Sequence, residues 1–442
     1  MLLTIRSAGL TDVGVKRSHN QDALSLQPAG DARHWQQYGH VFIVADGMGG
    51  HAVGEKASQK AVRDIPLTFI KHIAQEGPIG AIRRAFREAN ESIFQIGVNN
   101  PEFKGLGTTG TALFLRPEGV WVGHVGDSRA YRIRGNRIQQ LTFDHSWVWE
   151  VARRQGIDPD ELGDFKKNVI IRSLGPDADV EVDIEGPHPF EPGDTFLMCS
   201  DGLTNEVTPE EIGIVLQLYP PEEACKYLIE LANIRGGRDN VTCLIVQVPG
   251  GGLVSLAASG FAGKLTSAAK AVDRKVPWPF LALGFGALIA ACSVFLQSEG
   301  IRELAIPAFL LAAVLILVGL VGLYMQLKRK NEQPEGTDPE TPRILNLYRD
   351  YIFELGSEQV QRFKMLDDGL VQACRESAEL SAAINWDAHD LLAEKSVERV
   401  TKDDWPAAFR FRFEAVQMLA VAYNRSRKKD EEFKPNWTKP GQ

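Results

Sequence analysis

Five aspartates, Asp22, Asp46, Asp127, Asp201 and Asp239, stand where this chain turns or where an apolar run ends. The stretch Val41 to Gly50, Val-Phe-Ile-Val-Ala-Asp-Gly-Met-Gly-Gly, stops at Asp46 and is followed by three glycines in four residues. Such a run reads as a buried strand whose end delivers a carboxylate to a rim, with Gly47, Gly49 and Gly50 permitting close backbone approach. The run Thr195 to Cys199 ends in the same way at Ser200, Asp201 and Gly202, and Asp239 precedes a strongly apolar last strand. Taken singly, each aspartate is as well explained as a turn or cap residue. Gathered together, five carboxylates repel, and burial alone would neutralise them. A multivalent cation is what makes such a cluster stable. Oxygen donors with no histidine or cysteine in the motifs suit magnesium or manganese better than zinc. Two such ions roughly 3.5–4 Å apart polarise a phosphoryl group and activate a water for in-line attack.

The elements that must position these residues are legible from periodicity. A first strand is expected between Leu3 and Gly14, and Arg17, Asn20 and Asp22 lead into a second. Residues 52–74 and 79–96 read as two amphipathic helices, the second with Ile79, Ile82, Phe86, Ala89 and Ile93 at helical spacing. From Gly105 to Thr142 strands alternate with tight turns at 117–119 and 135–136, an antiparallel meander with Asp127 at one turn. Residues 144–186 break the pattern with a helical piece near 148–155 and a polar loop, and read as an inserted flap. A helix near 221–232 and a final strand after Asp239 close the domain.

At 442 residues, with 44% hydrophobic residues, the chain is long enough for two or three folded domains. A net charge of -8 and no concentrated basic face argue against nucleic-acid binding. The five cysteines, Cys199, Cys225, Cys243, Cys292 and Cys374, form no CxxC pair, so neither a zinc site nor a disulfide framework is supported. The N-terminus has no apolar stretch of signal-peptide length.

The segments Arg17-Ser-His-Asn-Gln-Asp22, Val-Ala-Asp46-Gly-Met-Gly-Gly, Gly107-Thr-Thr, Val-Gly-Asp127-Ser-Arg-Ala-Tyr, Ser-Asp201-Gly and Asp239-Asn-Val-Thr resemble, in order, those of the PPM (PP2C-type) metal-dependent protein serine/threonine phosphatases. The resemblance spans residues 1 to about 249. It implies an α+β fold, a four-layer α-β-β-α sandwich with a dinuclear Mn²⁺ or Mg²⁺ centre at one end. Carried over residue by residue, it makes Asp46 the bridge between both ions. The Gly47 carbonyl and Asp22 serve the second ion, and Asp201 and Asp239 the first. Asp127, with Asp201, matches the position of a third and looser ion, and Arg17 the phosphate-binding arginine. Two positions depart from the wider family: Gln21 stands where a glutamate is common, and Met48, as in bacterial members, where the eukaryotic branch has a histidine. The general acid is thereby left unassigned, with His51 and His145 candidates on residue type alone.

Beyond Pro249 the composition shifts. Residues 250–276 read as a linker or interfacial helix. Residues 277–297 and 304–327 each run without a charge for the roughly 20 positions that span a bilayer. Arg274-Lys275 before them and Lys328-Arg329-Lys330 after them place both flanks in the cytoplasm. After a polar linker, 328–342, residues 343–442 read as a small helical cytoplasmic domain. Its stripes are Leu345, Tyr348, Ile352 and Leu355, then Phe411 to Val421, and it belongs to no recognised family. Docking, sensing and oligomerisation are its candidate roles, and composition does not rank them. If it tethers a partner at the membrane face, its removal leaves turnover of a small phosphopeptide unchanged and slows that of a membrane-proximal substrate; the competing expectation is that it gates the site by touching the 144–186 flap. The expected whole is a multi-pass, membrane-anchored phosphatase hydrolysing phosphoserine and phosphothreonine in proteins by a metal-activated water. Its partners are phosphoproteins made by a serine/threonine kinase, and membrane lipid. The alternatives are a catalytically inactive phosphoprotein-binding or sensory regulator on the same fold, and a small-molecule phosphatase.

Overall fold

The computed structural model describes residues 2–49, 53–103, 105–162, 169–250, 313 and 349–430. Apart from residue 313, the described residues belong to one compact unit. The spans expected at 277–297 and 304–327 lie outside the described residues. Among the described residues no helix is long and apolar enough to cross a membrane.

Two antiparallel sheets form the centre. One runs in the order β2 (Asp22–Gln27), β3 (His40–Met48), β5 (Gly110–Arg116), β6 (Gly119–Val125), β9 (Asp183–His188), with β4 (Gly107–Thr108) also on β3. The other runs β1 (Arg6–Asp12), β11 (Val241–Gln247), β10 (Thr195–Cys199), β7 (Arg129–Arg134), β8 (Arg137–Gln140), β12 (Asp350–Ile352). Their central strands are buried on both faces, and the period-2 alternation of strands sorts their side chains into three cores. Phe42, Val44, Leu113 and Leu115 of the first sheet meet Phe196, Met198, Leu244 and Val246 of the second. Val41, Ile43 and Phe114 turn outward onto α2 (Val53–Asn99), a helix broken at Gly77. Leu197, Cys199, Cys243 and Ile245 turn outward onto α5 (Pro209–Leu218) and α6 (Pro221–Arg235). The layers are thus helix, sheet, sheet, helix, as the family resemblance implied.

Three expectations are corrected. The strand through Val41 does not stop at Asp46 but continues to Met48, because Gly47 and Met48 pair with Thr108 and Gly107. Glycine is required there: a Cβ on Gly47 would lie 2.2 Å from the Gly54 carbonyl oxygen and 2.6 Å from that of Gln21. The meander is interrupted, since β6 and β7 belong to different sheets. The chain changes sheet across Gly126–Ser128, which carries Asp127 with it. The helical stripe expected through Ile352 is not a helix at 350–352, where the backbone pairs with β8. An unpaired sheet edge offers a row of backbone donors and acceptors, and pairing there overrides side-chain spacing. Leu345 and Tyr348 lie outside the described residues.

The C-terminal residues add a fifth layer to this sandwich. After β12 come α7 (Ser357–Glu376), α8 (Ala378–Ala383), α9 (Trp386–Val400) and α10 (Trp405–Asp430). Phe413 packs edge-on to Tyr227 of α6, with ring centroids 5.6 Å apart, and also meets Tyr219, Phe363 and Phe409. Asn424 donates to the Glu230 carbonyl at 3.3 Å and Gln417 to that of Tyr227 at 3.4 Å. The described residues of this region share a sheet and a core with the layers before them.

Candidate active site

The sandwich brings all five aspartates to one end. Asp22 and Asp46 are direct partners in the β2–β3 register, so their proximity follows from the ladder itself. Asp201 opens the short helix α4 (Asp201–Thr204) immediately after β10, Asp239 precedes β11, and Asp127 sits at the crossover between sheets. Asp22 and Asp127 are buried, whereas Asp46, Asp201 and Asp239 are half-buried.

A set of buried hydroxyls and one amide holds this arrangement. Asp46 donates its N–H to Thr109 Oγ1 at 2.8 Å, and its carbonyl accepts from Thr108 Oγ1 at 2.9 Å. Thr109 Oγ1 lies 2.7 Å from Ser128 Oγ, which ties the Asp46 strand to the Asp127 crossover. Ser200 Oγ donates to Asp22 Oδ2 at 2.7 Å, bridging the two sheets. Asn240 accepts from Gln21 N at 2.8 Å and donates to the carbonyls of Val13 and His19 at 2.9 Å each, pinning the Arg17 segment beside Asp239. Arg17 is half-exposed, and one guanidinium nitrogen lies 2.7 Å from Asp239 Oδ2. These positioning residues went unassigned in the sequence, although their motifs, Gly-Thr-Thr and Asp-Asn, carried the signal: consecutive polar residues beside apolar strands.

His145 is buried and has both ring nitrogens engaged. Nδ1 accepts the Gly126 N–H at 3.0 Å, and Nε2 lies 3.0 Å from Asp183 Oδ2. It therefore steadies the turn that carries Asp127. Burial would raise the Asp183 carboxyl, yet the His145 hydrogen bond and the charges of His145 and Arg172 hold it at about 2. The neighbouring His124 is pushed down to about 3, first by burial and then by His145. His51 lies outside the described residues.

A cavity of about 330 Å³ adjoins the cluster, lined by Asp127 and Asp201 on one side and by Trp149, Arg349 and Tyr351 on the other.

A family model described as protein phosphatase 2C matches residues 15–234. The serine/threonine phosphatase stp of Listeria welshimeri is 36% identical over 242 residues, covering 54% of this chain and 93% of that protein. Protein phosphatase PhpP of Streptococcus pneumoniae is 35% identical over 247 residues, covering 54% and 96%. The chain belongs to the protein phosphatase 2C family. It is a protein serine/threonine phosphatase, and phosphatases of this family are metal-dependent. A solved structure of the catalytic domain of serine threonine protein phosphatase PstP, in complex with 2 manganese ions, is 31% identical and covers 56% of this chain and 99% of that one, with a TM-score of 0.45.

The residues of this phosphatase fit a cation on two observations. Asp22 Oδ1, Asp127 Oδ1 and Asp201 Oδ1 are buried without a hydrogen-bond partner, a costly state for carboxylate oxygens. The carboxyls also hold their protons against one another. Asp22 is pushed up to about 7, first by burial and further by Asp201 and Asp239. Asp46 is held well above its ordinary value by burial and then by Asp22, Asp201, Asp127 and Asp239. Asp127 and Asp201 are raised for the same reasons, Asp201 being partly relieved by hydrogen bonds with Asn205 and Asp46. Among the described residues no three such side chains stand as a finished metal cage, so the fit rests on the donor chemistry and the mutual repulsion.

Proposed function

We propose that this phosphatase hydrolyses phosphoserine and phosphothreonine in proteins at the Asp46 end of the sandwich, with two Mn²⁺ or Mg²⁺ ions held by Asp22, Asp46, the Gly47 carbonyl, Asp201 and Asp239. Asp127, with Asp201, holds a third ion more loosely. The observation that carries the reading is the gathering of five carboxylates, three of them with an orphaned oxygen and another, Asp239, paired with the half-exposed Arg17. When bound, such ions neutralise phosphoryl charge and lower the pKa of water. Arg17 offers a planar fork to the phosphoryl oxygens, and Asp239 orients it. Thr108 and Thr109 fix the Asp46 backbone on either side of its carboxylate. The inactive-regulator alternative is not favoured, because no aspartate of the set is missing or displaced from that end of the fold.

Two charge-free runs at 277–297 and 304–327 support a membrane hairpin that keeps the enzyme near membrane-proximal phosphoproteins, the products of a serine/threonine kinase. The test of the catalytic reading uses the full chain and a phosphothreonine peptide. Hydrolysis should require added Mn²⁺ or Mg²⁺ and disappear with a chelator, whereas activity indifferent to chelation would overturn it.

A further inference from the structure

We infer that Arg349, supplied by the C-terminal segment, is a positioning residue of the active site. It fastens α3 (Trp147–Gln155) and the loop at Asp158 against the Asp127–Asp201 cavity. The inference rests on the catalytic reading above and deepens it, since it makes the region beyond the membrane spans part of the substrate-binding wall.

Four observations meet at this residue. Its carbonyl accepts the Gln140 N–H at 2.9 Å, so the backbone is registered on β8 before its side chain does anything. One guanidinium nitrogen donates to Asp158 Oδ1 at 2.8 Å, and the side chain is only 13% exposed. The guanidinium carbon lies 5.5 Å from the Trp149 ring centroid and 5.4 Å from that of Tyr351, within cation–π range. The Trp149 ring is also 5.4 Å from the Arg129 guanidinium, which is bound to the buried Asp144 at 2.7–3.1 Å. Trp149 is therefore contacted both by an arginine from the C-terminal segment and by an arginine two residues from Asp127.

The docking of this segment is written into the catalytic layers as well. Gly213 of α5 has no side chain where a Cβ would lie 2.4 Å from the Phe353 ring, and Phe353 is 2% exposed. The strand and Phe353 thus set the position of Arg349, and Arg349 sets the position of α3. Because α3 and Arg349 line the cavity beside Asp127 and Asp201, loosening them changes how a phosphopeptide is held more than how its phosphoryl group reacts.

The experiment compares the full chain with its Arg349→Ala, Arg349→Lys, Asp158→Ala and Arg349→Ala/Asp158→Ala variants. In Arg349→Ala, hydrogen exchange over residues 147–158 should rise several-fold while residues 40–48 stay unchanged. KM for a phosphothreonine peptide should rise about 3- to 10-fold, the scale of a partly buried charged and cation–π contact, with kcat changed less than about twofold. Lysine keeps the charge facing Asp158 but not the planar face over Trp149, so Arg349→Lys should recover part of the loss. The double variant should be no worse than Arg349→Ala by more than about twofold, as expected of two members of one contact. Unchanged exchange over 147–158, or a rise spread equally over 40–48, would overturn the inference. If the wild-type chain hydrolyses no phosphopeptide, the catalytic reading fails, while the exchange arm still decides whether Arg349 holds α3.

Discussion

The carboxylates were legible as a set, because singly each reads as an ordinary turn or cap residue, whereas several apolar strands ending at an aspartate need a common reason. What sequence spacing did not yield is the division of labour around them. Thr108, Thr109, Ser128, Ser200 and Asn240 touch the aspartates or their backbone, yet a threonine or serine beside a strand is too common to single out without coordinates. Arg17 was expected to face the phosphoryl group, and the structure adds its partner Asp239 at 2.7 Å. The two residues should therefore fail differently. Asp46→Asn removes a carboxylate whose strand remains pinned by Thr108 and Thr109, so kcat should fall by at least about 100-fold with the fold intact. Arg17→Ala should act mainly on KM, because the arginine binds the phosphoryl group without supplying the nucleophile. Steady-state kinetics on a phosphothreonine peptide, with circular dichroism as the folding control, separates the two. Near-normal kcat in Asp46→Asn would remove Asp46 from the site.

Strands and helices followed their periodicity wherever packing agreed with it, as in the alternation of Val41, Ile43 and Ala45 against Phe42 and Val44. The exceptions are elements defined by their neighbours. β12 is three residues long and carries no pattern of its own, so only the exposed edge of β8 makes it a strand. The chain's change of sheet at Asp127 is likewise invisible to a local pattern, since both flanking segments alternate as strands should. In the C-terminal helices, charge is hidden inside an apolar stripe. Asp367 of α7 accepts from Arg412 of α10 at 2.5 Å and faces His389 Nε2 of α9 at 2.9 Å, while His389 Nδ1 faces Asp390 at 2.9 Å. The hydrogen bond to Asp367 holds His389 above its ordinary value of 6.5, and Asp390 adds to the effect. A histidine that gains proton affinity on folding contributes stability that is full below that ordinary value and is lost as pH rises through the folded value. The thermal midpoint should thus fall from pH 6 to pH 9 more steeply in the parent than in His389→Gln, which is itself less stable at pH 6 by about 1–3 kcal/mol. Equal slopes in the two proteins would show that the imidazole does not titrate against folding.

At the scale of the whole molecule, the sequence separated what the fold joins. Composition marks residues 250–342 as different from both flanks, and a hydrophobic stretch followed by a polar linker ordinarily divides independent modules. The apolar residues that reunite the flanks, Tyr219 and Tyr227 on one side and Phe353, Phe363, Phe409 and Phe413 on the other, look like ordinary core positions in either segment. Their union constrains the intervening chain. Because β12 pairs with β8 and α10 lies on α6, the described residues up to 250 and those of 349–430 must share one side of any membrane. Passage across a bilayer by the chain between them must therefore occur an even number of times. Two charge-free runs joined by Ser-Glu-Gly-Ile-Arg-Glu, with basic residues on both outer flanks, would satisfy that condition as the proposed hairpin, for which the positive-inside rule predicts both flanks in the cytoplasm. A single crossing would tear β12 from its sheet. Compartment reporters fused in the link near Glu299 and after Lys330 should accordingly give opposite signals, the first exported and the second cytoplasmic. The same compartment for both would refute the hairpin and leave residues 277–327 on one side of the membrane with the rest of the enzyme.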